Sequence, residues 1–232
     1  VIIVGIDDTD TLDSPGTNQL AKAIVRAIQD EWCCLRIVRH QLFFDPRVPY
    51  TSKNGSASIT LEPRGISDVA KLTSLCEQIM RQWFVDGSDP GLCVAETVPD
   101  SVTRFGRVCQ HEVVTQEMAR ALAARNGIML KGLGGTEGGV IGALAATGLA
   151  VAGEDGRVVQ HGEWPDDLSG PVEIQSLHER DVEVVDMDRA CVVTEGVVNV
   201  GKHLRPNRRS GTTVLFVTAD SSPLLYTAVK LT

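Results

Sequence analysis

At 232 residues, 43% hydrophobic and 22% charged, the chain holds enough apolar material for the core of one or two folded domains, which excludes general disorder. Its formal charge of −8 argues against a surface built to coat duplex DNA, although a local basic patch remains compatible with it. No apolar run approaches the roughly 18 residues of a membrane span, so no membrane partner is expected.

The chain opens with an apolar strand over residues 1–6 that runs straight into acids. Asp7, Asp8, Asp10 and Asp13 fall within seven positions. Carboxylates bunched at the end of a strand repel one another unless a cation sits among them, and Mg²⁺ typically takes one or two carboxylates together with substrate phosphates. The next segment, 17–30, places Leu20, Ile24 and Ile28 at i, i+4 and i+8, the spacing of an amphipathic helix whose first turn would offer N–H groups to a phosphate. A metal–nucleotide loop and an ordinary surface turn that caps a helix are both compatible with this pattern.

A second strand is predicted over 35–44, and a third over 56–62, where Ala57, Ile59 and Leu61 alternate with Ser58, Thr60 and Glu62. Between them lies TSKNGS, in which Asn54-Gly55 signals a hairpin and Lys53 stands at the tip, within reach of an anion at the acidic loop. Ser67 reads as the cap of a helix carrying Val69, Leu72, Ile79 and Trp83. A turn by composition, 87–91, leads to a strand over 92–97. The order β-α-β-β-α-β is that of a split βαβ, ferredoxin-like unit.

Further on, 115–125 reads as a short helix stopped by Asn126-Gly127. KGLGGTEGG then leads into the alanine-rich VIGALAATGLA, whose glycines imply a helix lying close to its neighbour. The stretch is neither G-x-G-x-x-G nor a P-loop. Gly134, Gly135 and Gly138 either admit a phosphate or nucleobase to backbone N–H groups or simply make a tight connection. Asp155-Gly156 reads as a hairpin turn, and strands joined by polar loops follow from about residue 172. GKHLRPNRRSG gathers Lys202, His203, Arg205, Arg208 and Arg209 into eleven positions. Such an island either binds a nucleotide triphosphate or RNA through its Arg forks or is a solvated loop.

The six cysteines form no C-x-x-C pair and no zinc-site spacing. Small buried thiols in a reducing cytoplasm are the ordinary reading. No H-E-x-x-H or G-x-S-x-G occurs, so hydrolase chemistry has little support.

Taken in order, several segments resemble the archaeal tRNA(Ile) 2-agmatinylcytidine synthetase family. VGIDDTD followed by GTNQLA is similar to its first motif, FDPRVPYTSKNGSASI to its asparagine/proline loop, and GSDPGL to an N-P-G turn. GGVIGALAATG resembles a G-x-[IL]-G-A-L-A-A-x-G segment, and RPNRRSGTTVLFV a strand entry near its end. The resemblance implies an α+β protein: a kinase-like nucleotide- and metal-binding domain over 1–105 of β-α-β-β-α-β type, and a ferredoxin-like α+β domain over 106–232. It implies ATP and Mg²⁺ as cofactors and phosphoryl activation of an acceptor oxygen on a tRNA base or related nucleotide, the work of a cytoplasmic ligase- or kinase-like enzyme. Family members phosphorylate the C2 carbonyl oxygen of a wobble cytidine, and agmatine, a small-molecule acceptor, displaces the phosphate. Carried over by motif, Asp7, Asp8, Asp10 and Thr17 form the catalytic set, with Asp8 and Asp10 on the metal. Lys53 and Asn54 face the same cleft. Gly134, Gly135, Gly138, Arg208 and Arg209 are the remaining candidates for the nucleotide.

This sequence departs from the family at the helix start, GTNQL, where a cysteine and consecutive threonines are usual. It also carries no cysteine set for the zinc ribbon that, with an OB fold, follows in the full-length enzymes. The expectation is either a truncated chain or a stand-alone homologue with another substrate. A non-catalytic RNA- or nucleotide-binding module that retains the fold is the alternative.

Overall fold

A computed structural model describes residues 1–9, 15–48, 54–162 and 168–231. The chain divides into two compact units, Val1–Ala152 with His161–Glu163, and Gly153–Gln160 with Trp164–Thr232. The sequence-based boundary near residue 105 falls inside a helix of the first unit.

In the first unit β1 (Ile2–Asp7), α1 (Thr17–Ile28), β2 (Trp32–Gln41), β3 (Gly55–Pro63), α2 (Val69–Gln82) and β4 (Gly91–Ala95) follow the expected order. They are joined by α3 (Asp100–Val108), α4 (Gln116–Arg125), β5 (Met129–Gly132) and α5 (Val140–Ala152). The strands lie in the order β5-β4-β1-β3-β2, every neighbour antiparallel. Cross-strand partners share a face, so Ile2, Val4 and Ile6 stand with Leu61, Ile59 and Ala57 on one side, and Ile3 and Gly5 with Thr60 and Ser58 on the other.

The Gly5 face receives α5. This helix is apolar all round, as a helix must be when it is buried on every side, and Val140 and residues 142–149 are buried. It packs between the sheet and α3 and α4, in a cluster that includes Cys93, Ala95, Phe105, Ala119, Leu144 and Leu149. The helices α1 and α2 touch each other and the strands, and they supply none of that cluster; they cover the opposite face. Leu20, Ile24 and Ile28 of α1 are buried, as their spacing requires.

Three sequence readings shift. The cap of α2 is Asp68, whose carboxylate accepts the Lys71 N–H at 2.9 Å, one residue past Ser67. Helix α3 was not anticipated. Asp155-Gly156 joins α5 to β6 (Arg157–His161) and so connects helix to strand; it does not close a hairpin.

The second unit is mostly strand. After β6 come β7 (Pro171–Glu173), the short α6 (Ile174–His178), β8 (Val182–Asp186), β9 (Cys191–Val192), β10 (Val197–Asn199), β11 (Asn207–Arg209), β12 (Thr212–Ala219) and β13 (Leu225–Ala228). Strand β12 pairs antiparallel with β11 and β13 and parallel with β8, over a core that includes Ile174, Leu177, Val184, Val198 and Val217.

Helix α5 approaches the sheet backbone to backbone. A Cβ on Gly5 would strike Ala143 O and lie 2.6 Å from Thr147 Oγ1; one on Gly139 would lie 2.5 Å from Asp89 O and 2.7 Å from Gly91 N. Gly138 differs, since its Cβ would meet nothing nearer than Thr136 Oγ1 at 3.5 Å. Gly139→Ala should therefore destabilise the protein by about 1–3 kcal/mol in urea unfolding. Gly138→Ala should stay within about 0.5 kcal/mol of the parent. Equal effects at the two positions would contradict the backbone contact.

Candidate nucleotide site at the end of strand β1

Asp7 ends β1 opposite Gly91 of β4. Its carboxylate lies where a Gly142 side chain would be, Oδ2 being the nearest atom to that imaginary Cβ. Gly142 is the third residue of α5, so the carboxylate rests against the first turn of that helix. Asp7 in turn adds its charge to the burial that pushes the Cys109 thiol up to about 12. Burial alone raises Cys93 to about 12, against a small opposing hydrogen bond with Thr147. Neither thiol is a nucleophile at neutral pH.

The chain turns at Asp8, at a φ of 51°, a left-handed conformation that Asp tolerates better than most residues. The Asp8 carbonyl accepts the Asp89 N–H at 3.2 Å. Thr9 is buried, and its hydroxyl donates to the Thr17 Oγ1 at 3.1 Å, tying the acidic turn to the first residue of α1. Gly16, the N-cap of α1, has no side-chain cap bond, while its carbonyl accepts the Gln19 N–H at 2.8 Å. Asn18 in that first turn has a buried Oδ1 with no hydrogen-bond partner among the described residues. Asp10, Asp13 and Lys53 lie outside the described residues.

Asn54 closes the base of the β2–β3 connection: its carbonyl accepts from Leu42 N at 2.8 Å and Gln41 Nε2 at 2.6 Å, and its amide donates to Phe43 O at 2.8 Å. A cation that the sequence did not bring forward is Arg39. It pairs with Ala57 across β2–β3, and Ala57 with Ile6, so Arg39 stands in the row just before the acidic turn. A Cβ on Gly55 would lie 2.5 Å from its Nη2, so the glycine makes room for the guanidinium.

The glycine loop over 132–139 is pinned to the same end of the sheet. Asp89 accepts the Thr136 N–H on its carboxylate and the Gly139 N–H on its carbonyl at 2.9 Å, while Pro90 O accepts the Leu133 N–H at 2.8 Å. Gly135, at a φ of 56°, leaves no room for a side chain beside Asp89 Oδ1. Gly134 faces the Phe84 ring. The loop therefore does serve as a tight connection to α5, and the structure also brings it beside the Asp8 turn. Asp89 and Thr9 carry this arrangement. The sequence marked the first only as part of a turn, and the second only as the residue between two acids.

Arg208 and Arg209 belong to the second unit and are engaged there. Arg208 is 7% exposed and donates to Thr213 Oγ1 at 3.2 Å and to Gly211 O. Arg209 donates to Glu154 O at 3.2 Å and lies over the Phe216 ring, 6.0 Å from its centroid. Lys202 and His203 of the same island are exposed. Among the described residues no group of three His, Cys, Asp or Glu side chains is placed to hold a metal ion, and no helix is long and apolar enough to cross a membrane.

No family model matches the chain. The chain resembles tRNA(Ile2) 2-agmatinylcytidine synthetase: it is 27% identical to the enzyme TiaS of Cenarchaeum symbiosum over 183 residues, 72% of this chain and 40% of that protein. It is 29% identical over 151 residues to the uncharacterized protein MJ0921 of Methanocaldococcus jannaschii, 64% of this chain and 50% of that one. The chain thus spans two-fifths to half the length of these relatives. The fold of the TiaS–tRNA(Ile2)–ATP complex matches with a TM-score of 0.56 at 24% identity, over 63% of this chain and 36% of that one.

The buried thiols give a direct check on this geometry. In the folded protein near neutral pH, iodoacetamide should label Cys191, which is exposed, and spare Cys93 and Cys109, as read by mass spectrometry. Labelling of Cys109 at the rate of Cys191 would contradict its burial beside Asp7.

Proposed function

We propose that the first unit binds Mg–ATP at the end of β1 and transfers a phosphoryl group to an acceptor oxygen on a tRNA base or related nucleotide, as a short homologue of the 2-agmatinylcytidine synthetases. The observation that carries this reading is the meeting, at one end of one sheet, of an acidic turn, the start of α1 and a glycine loop, joined through the Asp8–Asp89 and Asp89–Gly139 bonds. Phosphoryl transfer asks the protein for little covalent chemistry and much positioning of charge, which is what such a meeting offers.

Mg²⁺ fits this turn in its usual mode, through one or two carboxylates with the remaining positions taken by triphosphate and water. Asp8, with Asp10 two residues on, would hold it. Asp7, drawn onto the first turn of α5, would order the turn from behind. When bound, the ion neutralises charge on the transferring phosphoryl group. The amides at the start of α1 and the Thr17 hydroxyl would face the phosphates, as would amides of Gly134, Gly135 and Gly138. Lys53 and Arg39 are the cations proposed for the remaining charge. Asn54 would act by shaping the loop that carries Lys53.

In the second unit, Arg208 and Arg209 would anchor the β11–β12 hairpin, and the exposed Lys202 and His203 in the connection just before β11 would meet RNA. That feature also supports a second reading, a nucleotide- or RNA-binding module without turnover, which predicts binding that falls steeply with salt and no consumption of ATP.

Thermal-shift titration with ATP, with and without Mg²⁺, tests nucleotide binding, and an assay of ATP consumption in the presence of tRNA separates the two readings. A ligand that binds only the folded state adds about 2.7 kcal/mol at a hundredfold excess over its Kd. Asp8→Asn should weaken Mg–ATP binding by about 1.5–3 kcal/mol, roughly ten- to hundredfold. An unchanged affinity in that variant would remove the acidic turn from the site.

A further inference from the structure

We propose that Asp89 is the positioning residue of this site, holding the glycine loop against the acidic turn; the inference rests on the nucleotide reading above. Asp89 is one residue with three separate attachments. Its N–H donates to Asp8 O at 3.2 Å, its carbonyl accepts the Gly139 N–H at 2.9 Å, and its carboxylate accepts the Thr136 N–H. The first holds the turn of β1, and the other two hold both ends of the segment between Thr136 and α5.

Asp89 is itself held on both sides. Pro90 after it restricts its backbone to extended conformations, and Pro90 O accepts the Leu133 N–H. Before it, the buried Ser88 bonds Val85 O through its N–H at 3.0 Å and its hydroxyl at 2.7 Å. Two further contacts hold the loop from α4: Gln116 Nε2 donates to Thr136 O at 2.9 Å, and Arg120 pairs with Glu137. Gly135 is pressed against the Asp89 carboxylate with no space for a Cβ. A half-exposed carboxylate that accepts a backbone N–H makes a charge-assisted bond stronger than the Gly139 contact. Removing it releases the Thr136 N–H and the adjoining Gly135 from the Asp89 side, while Thr136 O stays on Gln116 and the root of α5 stays attached through Gly139. The loop's amides would then no longer be presented to a phosphate at a fixed distance from Asp8.

Two variants of the full chain, Asp89→Ala and Asp89→Asn, separate positioning from direct ligation, because Asn keeps an acceptor for Thr136 and loses the charge. Hydrogen exchange over 133–139 is read without ligand, Mg–ATP affinity by calorimetry, and global stability by urea. Asp89→Ala should exchange that loop about tenfold faster and bind Mg–ATP about tenfold more weakly, with Asp89→Asn within about threefold of the parent in both. Loop exchange unchanged in Asp89→Ala would overturn the anchoring. Faster exchange with unchanged affinity would overturn its part in binding. Asp89→Asn as weak as Asp89→Ala, with the loop still protected, would make Asp89 a direct ligand and overturn the positioning role. If the parent protein binds no Mg–ATP, the nucleotide reading itself fails and takes the inference with it. The exchange arm still reports separately whether the loop is anchored.

Discussion

The close contact between α5 and the sheet is the constraint on which the first unit depends. Gly5 under Ala143 and Gly91 against Gly139 let two backbones meet where side chains would ordinarily hold them some ångströms further apart. The helix cannot move outward without opening a void among Cys93, Phe105 and Leu144, and it cannot carry larger residues at its root. Everything at the end of β1 follows from that depth. The first turn of α5 reaches the Asp7 carboxylate, and the loop feeding the helix is drawn across the turn that holds Asp89.

Neighbouring carboxylates thereby acquire different surroundings. Asp7 sits against a helix start and beside a buried thiol, a setting that fixes its direction. Asp8, one residue on, lies past the strand at a left-handed φ, with its carbonyl bonded to Asp89. In this account the first acid orders and the second binds. The net charge of −8 makes such a division useful, since an anionic ligand approaching an acidic protein needs its cations and amides gathered at one place. Arg39, in the row of Ile6, and the start of α1 are on the same unit as the acids.

Strong periodicities made much of the first unit legible in the sequence. Alternation marked β3, and Leu20, Ile24 and Ile28 marked α1. What was missed depends on tertiary contact. Helix α3 is nine residues long with Gly106 inside it, a residue that argues against a helix until one sees that a Cβ there would lie 2.9 Å from Ala145 O. The acids at the end of β1 could be found by counting, but Asp89 could not, since Ser-Asp-Pro-Gly describes any turn. Pattern alone leaves Arg208 either a fork for phosphate or part of a solvated loop; its guanidinium lies within the β11–β12 hairpin, bonded to Thr213 and Gly211, a tertiary placement that a run of basic residues does not encode.

The central claim is that a metal–triphosphate sits between the Asp8 turn, the start of α1 and the glycine loop. Paramagnetic broadening by Mn²⁺–ATP, read on the amide spectrum of the labelled protein, tests it most directly, because the metal reports its own surroundings. The account predicts that the amides of Asp8, Thr17, Gly134, Gly135 and Gly138 broaden together at substoichiometric Mn²⁺ and recover when Mg²⁺ is added in excess. Broadening confined to other residues, or none with ATP present, would contradict it.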